Sequence, residues 1–185
     1  AAIAISTAMG LSGASAEDFG FAAEFAAALL VAMVVHELGH ALVAAALGVE
    51  VDVSIGLALS WVLPSGHDLE ADDPWELSRT ARAVMFAAGP AANLLVAIVV
   101  HRGGVTLLGD LNLVLGALNL IPIAVLDGGK LVATLVAPKS ASWVSFAAFG
   151  SLTLATVLRT EPIPLRIIDI GFLAFLAMAS LAAQP

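Results

Sequence analysis

From Phe21 to Leu47 the chain runs as a single apolar stretch, interrupted only by Glu24 near its start and by the group HELGH at residues 36–40. A helix that crosses a hydrocarbon core needs about 20 mostly apolar residues at roughly 1.5 Å each. The stretch is long enough to span, and a span limits the rest of the fold. At that depth no water is present to satisfy polar backbone or side-chain groups, so each must find a partner within the protein. Composition agrees with this reading. Hydrophobic residues make up 61% of the 185 and charged residues 12%, against roughly 45–50% and 25% in a soluble domain. The chain reads as one integral-membrane domain over residues 1–185, multi-pass in the cell membrane and in contact with the lipid bilayer.

The same numbers exclude several kinds of chemistry. There is no cysteine, so disulfides, thiolate catalysis and cysteine-based zinc sites are ruled out. Net charge is −8 with seven Lys plus Arg, which argues against a nucleic-acid partner. The opening AAIAIS is apolar but too short to span and lacks a basic flank, so it does not read as a signal peptide.

Further spans follow. Met85 to Val100 is the second, with a helix expected to start earlier, where Asp73 can cap, Pro74 can take the first helical position and Glu76 completes a capping-box pattern. Leu107 to Leu118 is a third apolar run, broken by Asn119, Pro122 and then Asp127-Gly128-Gly129. Such breaks are tolerated at membrane depth where they are buried in protein or line a cavity. A short helix can resume from Lys130 to Ala137. Trp143 to Leu158 and Leu165 to Ala183 are two further spans, separated by Arg159 to Pro162. The expected architecture is an all-α polytopic membrane protein of about five to six membrane segments.

One non-helical element is expected. Val49, Val51, Val53 and Ile55 alternate with Glu50, Asp52 and Ser54, the period of a strand. Leu57 to Leu63 is apolar but too short to span, and is expected to lie in or dip into the membrane. HDLEADD, residues 67–73, reads as a solvated acidic loop.

His36 and His40 are four apart, so on a helix they stack one turn apart on one face, differing by about 40°. That spacing lets both imidazoles reach one ion. Glu37 lies about 100° round from His36, placed to hold a water without being a ligand. This is the H-E-x-x-H arrangement of zinc hydrolases, in which zinc brings a water near pKa 7 and the glutamate accepts its proton. Three ionisable side chains inside a span point to function by default. Gly39 on the same helix would let a neighbour approach closely.

Zinc needs a third protein ligand. Asp110 sits near the start of a span and suits a helix-end role. Asp169 lies beside Arg166 and suits an interfacial ion pair. His67 falls in the acidic loop. Asp127, in NLIPIAVLDGGK, follows a proline-broken run at membrane depth and is followed by two glycines that allow close approach. Asp127 is the expected third ligand, with one zinc ion per chain.

The motifs HELGH, AAGPAANLLVA and NLIPIAVLDGG, in that order between residues 34 and 130, resemble the site-2 protease family of intramembrane zinc metalloproteases. The resemblance implies a three-helix catalytic core within about 21–137, additional C-terminal helices over about 140–183, and zinc held by His36, His40 and Asp127. It implies that Glu37 is the catalytic base and that Asn93 and Asn119 help hold substrate or organise the site. Read from the residues alone, an asparagine in lipid must find hydrogen-bond partners, and gluing helices together would explain either one. The implied activity is hydrolysis of peptide bonds within or near transmembrane segments of membrane-protein substrates. The alternatives are a membrane metal-ion transporter, which would more naturally spread its ligands along a path, and a catalytically inactive relative that binds membrane partners without cutting them.

Overall fold

The structure, a computed structural model, describes residues 16–55, 60–64, 77–136 and 138–158. Among these are five helices and one hairpin: α1 (Ala16–Ala46), β1 (Val51–Ile55), β2 (Ser60–Pro64), α2 (Arg79–Arg102), α3 (Thr106–Asn119), α4 (Asp127–Leu135) and α5 (Pro138–Leu158). The span expected at Leu165–Ala183, the break at Arg159–Pro162, His67 and the Asp169–Arg166 pair lie outside the described residues.

Among the described residues two helices are long and apolar enough to cross a membrane, over Phe19–Ala46 and Arg79–Arg102, and Thr106–Asn119 is a shorter apolar helix. Their surface distribution inverts that of a soluble bundle. Large apolar side chains such as Leu42 (69% exposed), Leu95 and Ile98 point outward, while His36, Glu37, His40, Asn93, Asn112 and Asp127 are buried. An apolar exterior around a polar interior suits a lipid solvent, where outward hydrophobic groups cost nothing and ionisable groups must pair inside.

α1 and α2 pack through small residues. A Cβ on Gly39 would fall 2.7 Å from the Ala88 carbonyl oxygen and 2.8 Å from Ala92 Cβ, so this crossing requires glycine there. α3 packs on both α1 and α2, and α4 packs on α2. Met85, Ala97 and Ile123 fill the apolar core between them.

α1 ends in a Schellman turn. Gly48 sits at φ +78°; its N–H donates to the Ala45 carbonyl and that of Val49 to the Ala44 carbonyl, both at 3.0 Å. This satisfies carbonyls the helix end would leave bare and turns the chain into β1.

Of the stretch Leu57–Leu63, expected to lie in or dip into the membrane, residues 60–63 belong to β2, which pairs antiparallel with β1 so that Val51 faces Pro64 and Ile55 faces Ser60. A lone strand beside a membrane leaves its backbone groups unpaired, and a hairpin satisfies one edge of it. One expectation is corrected, the start of α2. Leu77 and Ser78 are non-helical, and α2 starts at Arg79 with Ser78 as its cap; the Ser78 hydroxyl accepts from the Ala81 N–H at 3.2 Å. Serine oxygen reaches the third amide of a helix as readily as aspartate does, and the Asp73–Glu76 pattern lies ahead of the helix, outside the described residues.

Candidate metal centre

His36 and His40 project from α1 into the space between α2 and the N-terminus of α4. Asp127 is the first residue of α4, delivered there by the irregular segment Leu120–Leu126. One ligand atom from each of the three lies within 4.8 Å of the others. Asp127 Oδ2 is 2.9 Å from His36 Nε2 and 3.0 Å from His40 Nε2, and the two Nε2 atoms are 3.2 Å apart. Donor atoms around a tetrahedral zinc with bonds near 2.05 Å would stand about 3.3 Å apart, so the triangle matches to a few tenths of an ångström.

The partners of the two Nδ1 atoms bear on the fit independently. His36 Nδ1 lies 2.6 Å from Asn93 Oδ1, and His40 Nδ1 lies 2.8 Å from the Met85 carbonyl oxygen. Both partners are acceptors, so each Nδ1 carries a hydrogen, and a ring with no second proton turns its Nε2 lone pair inward. Two lone pairs and a carboxylate oxygen then face one another in a buried pocket. A proton can bridge two of these atoms, whereas a divalent cation serves all three. The residues fit a zinc ion, and ring N–H groups held in this way are characteristic of histidine ligands.

Gly89 makes room for this arrangement. A side chain there would run into His40 Nε2, and its Cβ would also sit 2.8 Å from His36 Nε2. The small residues of AAGPAAN therefore serve two ends, close packing of α1 on α2 and clearance for the imidazoles. On the other side, Asp127 Oδ1 is 3.4 Å from Lys130 Nζ, whose half-exposed side chain also lies over the Phe86 ring at 5.8 Å. Lysine thus draws one carboxylate oxygen outward, leaving Oδ2 for the focus.

Glu37 is only 4% exposed and accepts no hydrogen bond from the described residues. A buried carboxylate with no donor among the described residues is available for a water or a reacting group.

The two asparagines diverge. Asn93, expected to hold substrate or organise the site, is fully buried: its Oδ1 faces His36, and its Nδ2 donates to the Ala32 carbonyl and to Asn112 Oδ1, each at 2.8 Å. Both hydrogens of its amide and one side of its oxygen are thus engaged by neighbouring helices, beside His36. Asn119 ends α3 half-buried, with Nδ2 donating to the Leu115 carbonyl at 3.1 Å. Its oxygen accepts nothing from the described residues. Asp110 is remote from the centre and instead binds His101, Oδ1 to Nε2 at 3.0 Å, across the turn between α2 and α3.

Sequence reasoning missed Asn112, which is fully buried behind Asn93. A signal for it exists: Asn112 and Asn119 are seven apart in an apolar run, hence on one face of α3. The Met85 carbonyl that fixes His40 has no signature in the sequence.

Residues 24–109 match the model of peptidase family M50. That stretch contains His36, Glu37, His40 and Asn93 and ends before Asn112, Asn119 and Asp127. A protein of Synechocystis sp. named "Putative zinc metalloprotease sll0528" is 38% identical over 120 residues, covering 58% of this chain and 30% of the relative. The chain thus spans under a third of that relative's length.

Proposed function

The chain belongs to the site-2 protease family of metalloproteases, and from that premise we propose that it is a multi-pass, zinc-dependent endopeptidase cutting within or near transmembrane segments. The observation that carries this reading is the convergence of His36, His40 and Asp127 on one point, with buried Glu37 beside them and with His36, Glu37 and His40 on a helix apolar enough to span a membrane. His36, His40 and Asp127 would hold the ion. A bound zinc supplies Lewis acidity, polarising a carbonyl and bringing a water into the range of carboxylate bases.

The chain's own residues do the rest. Glu37 takes the proton of the attacking water and passes it to the leaving amine, so the carboxylate returns to its starting state with each turnover. Met85 and Asn93 keep the imidazoles oriented throughout. A transmembrane substrate must unwind before cleavage, and its freed backbone groups need partners, since each left bare costs several kcal/mol. Each strand of the β1–β2 hairpin has one outer edge, and an extended segment can add to such an edge. Asn119, near the α3–α4 break and with an oxygen that accepts nothing from the described residues, can accept one further backbone N–H.

The test is cleavage of a membrane-protein substrate by the purified chain in detergent. Cleavage should stop when a chelator strips the metal and return when one equivalent of zinc per chain is restored. Zinc-loaded protein that moves zinc across vesicles and cuts nothing would favour a transporter; retention of uncut substrate would favour an inactive relative.

A further inference from the structure

The histidines of the centre are fixed by unlike acceptors. His40 leans on a backbone carbonyl, that of Met85, which cannot rotate. His36 leans on the side-chain amide of Asn93, which can turn over and present nitrogen in place of oxygen. Turned over, Asn93 would donate to His36 Nδ1. The neutral ring would then carry its hydrogen on Nε2, aimed at the ligand triangle, and could not ligate.

What holds Asn93 is a line of hydrogen bonds from a helix that contributes no ligand. Asn112 Nδ2 donates to the Leu108 carbonyl at 2.8 Å, one turn back on α3. A carbonyl only accepts, so this bond sets which way the Asn112 amide faces and leaves its oxygen for Asn93 Nδ2, at 2.8 Å. The second hydrogen of that nitrogen goes to the Ala32 carbonyl on α1, also at 2.8 Å. With both hydrogens placed, only Asn93 Oδ1 can meet His36 Nδ1. Two backbone carbonyls on different helices thereby determine the tautomer of an imidazole neither one touches. Both amides are fully buried, so no solvent competes for these bonds.

We infer that Asn112 is a positioning residue: through Asn93 it keeps His36 in the Nδ1-protonated tautomer that can bind metal, making metal affinity depend on how α3 seats against α2. The inference rests on His36 being a ligand, as proposed above.

The full-length chain in detergent tests it in two ways. In metal-free protein labelled with ¹⁵N-histidine, the His36 ring should show its hydrogen on Nδ1. A hydrogen on Nε2 would overturn the inference without any variant being made. Zinc affinity, measured by competition with a chromophoric chelator, should fall about 10-fold in Asn112→Leu, the lower end of the range expected when a direct partner of a ligand is removed. Asn112→Asp, which keeps an acceptor towards Asn93, should stay within a few-fold of the parent. Equal losses in both variants would mean that packing of α3 matters and the amide line does not; no loss in Asn112→Leu would equally sink it. A parent protein that shows Nδ1–H but binds no zinc would overturn the metal reading and uphold the tautomer assignment.

Discussion

Asp127 Oδ2 stands 2.9 Å from His36 Nε2 across 91 residues of sequence. That contact brings the first residue of a short helix against the middle of a long one, and it turns a pair of imidazoles into a three-atom ligand set. Removing Asp127 should therefore remove metal. Asp127→Ala is expected to lower zinc from one per chain to a small fraction after dialysis, read by elemental analysis. Full zinc occupancy in that variant would direct attention to Asp169 or His67 as the third ligand.

Glu37 should separate chemistry from binding. In Glu37→Gln the three ligand residues are untouched, so zinc content should equal that of the parent. Turnover should fall by about 10²- to 10⁴-fold, the usual contribution of a positioned proton-transfer group. Metal analysis and a cleavage assay on the same preparation check both halves, and loss of zinc would contradict the role given to Glu37.

Gly89 tests the clearance around the rings. Its Cβ would run into His40 Nε2 and lie 2.8 Å from His36 Nε2. In Gly89→Ala the imidazoles must shift, and zinc affinity should drop at least tenfold, while far-ultraviolet circular dichroism shows the helices retained. Unchanged affinity would mean that the two helices can part without disturbing the site.

The two asparagines should respond differently. Asn93→Leu is expected to weaken zinc binding, since Asn93 supports His36. Asn119→Ala should leave zinc affinity unchanged and raise KM for a membrane substrate. The opposite pattern, metal loss from Asn119→Ala alone, would reverse the roles assigned here.

Ser78 offers a stability check away from the chemistry. Ser78→Ala deletes the oxygen that accepts from the Ala81 N–H, and should cost about 1 kcal/mol of unfolding free energy. Denaturant titration in micelles measures it, and the same experiment on Asp73→Ala should show no comparable loss.

What the sequence determined unaided is local or solvent-driven. His36 and His40 share a face because an α-helix repeats every 3.6 residues, wherever that helix lies. Long apolar runs imply membrane helices because hydrocarbon forbids unpaired backbone. Val51 to Ile55 showed its strand by alternation, and Asp127 stood out as a carboxylate at membrane depth beside two glycines. Tertiary structure alone decided which distant groups meet. Asn93 was legible as a polar group needing partners, but only the crossing of α1, α2 and α3 puts Ala32, His36 and Asn112 around it. The Met85 carbonyl and the pairing of Ser60–Pro64 with β1 belong to the same class. Hydrogen bonds of this kind depend on relative positions to within a few tenths of an ångström, and those positions are set by how whole helices pack, which no short stretch of residues specifies.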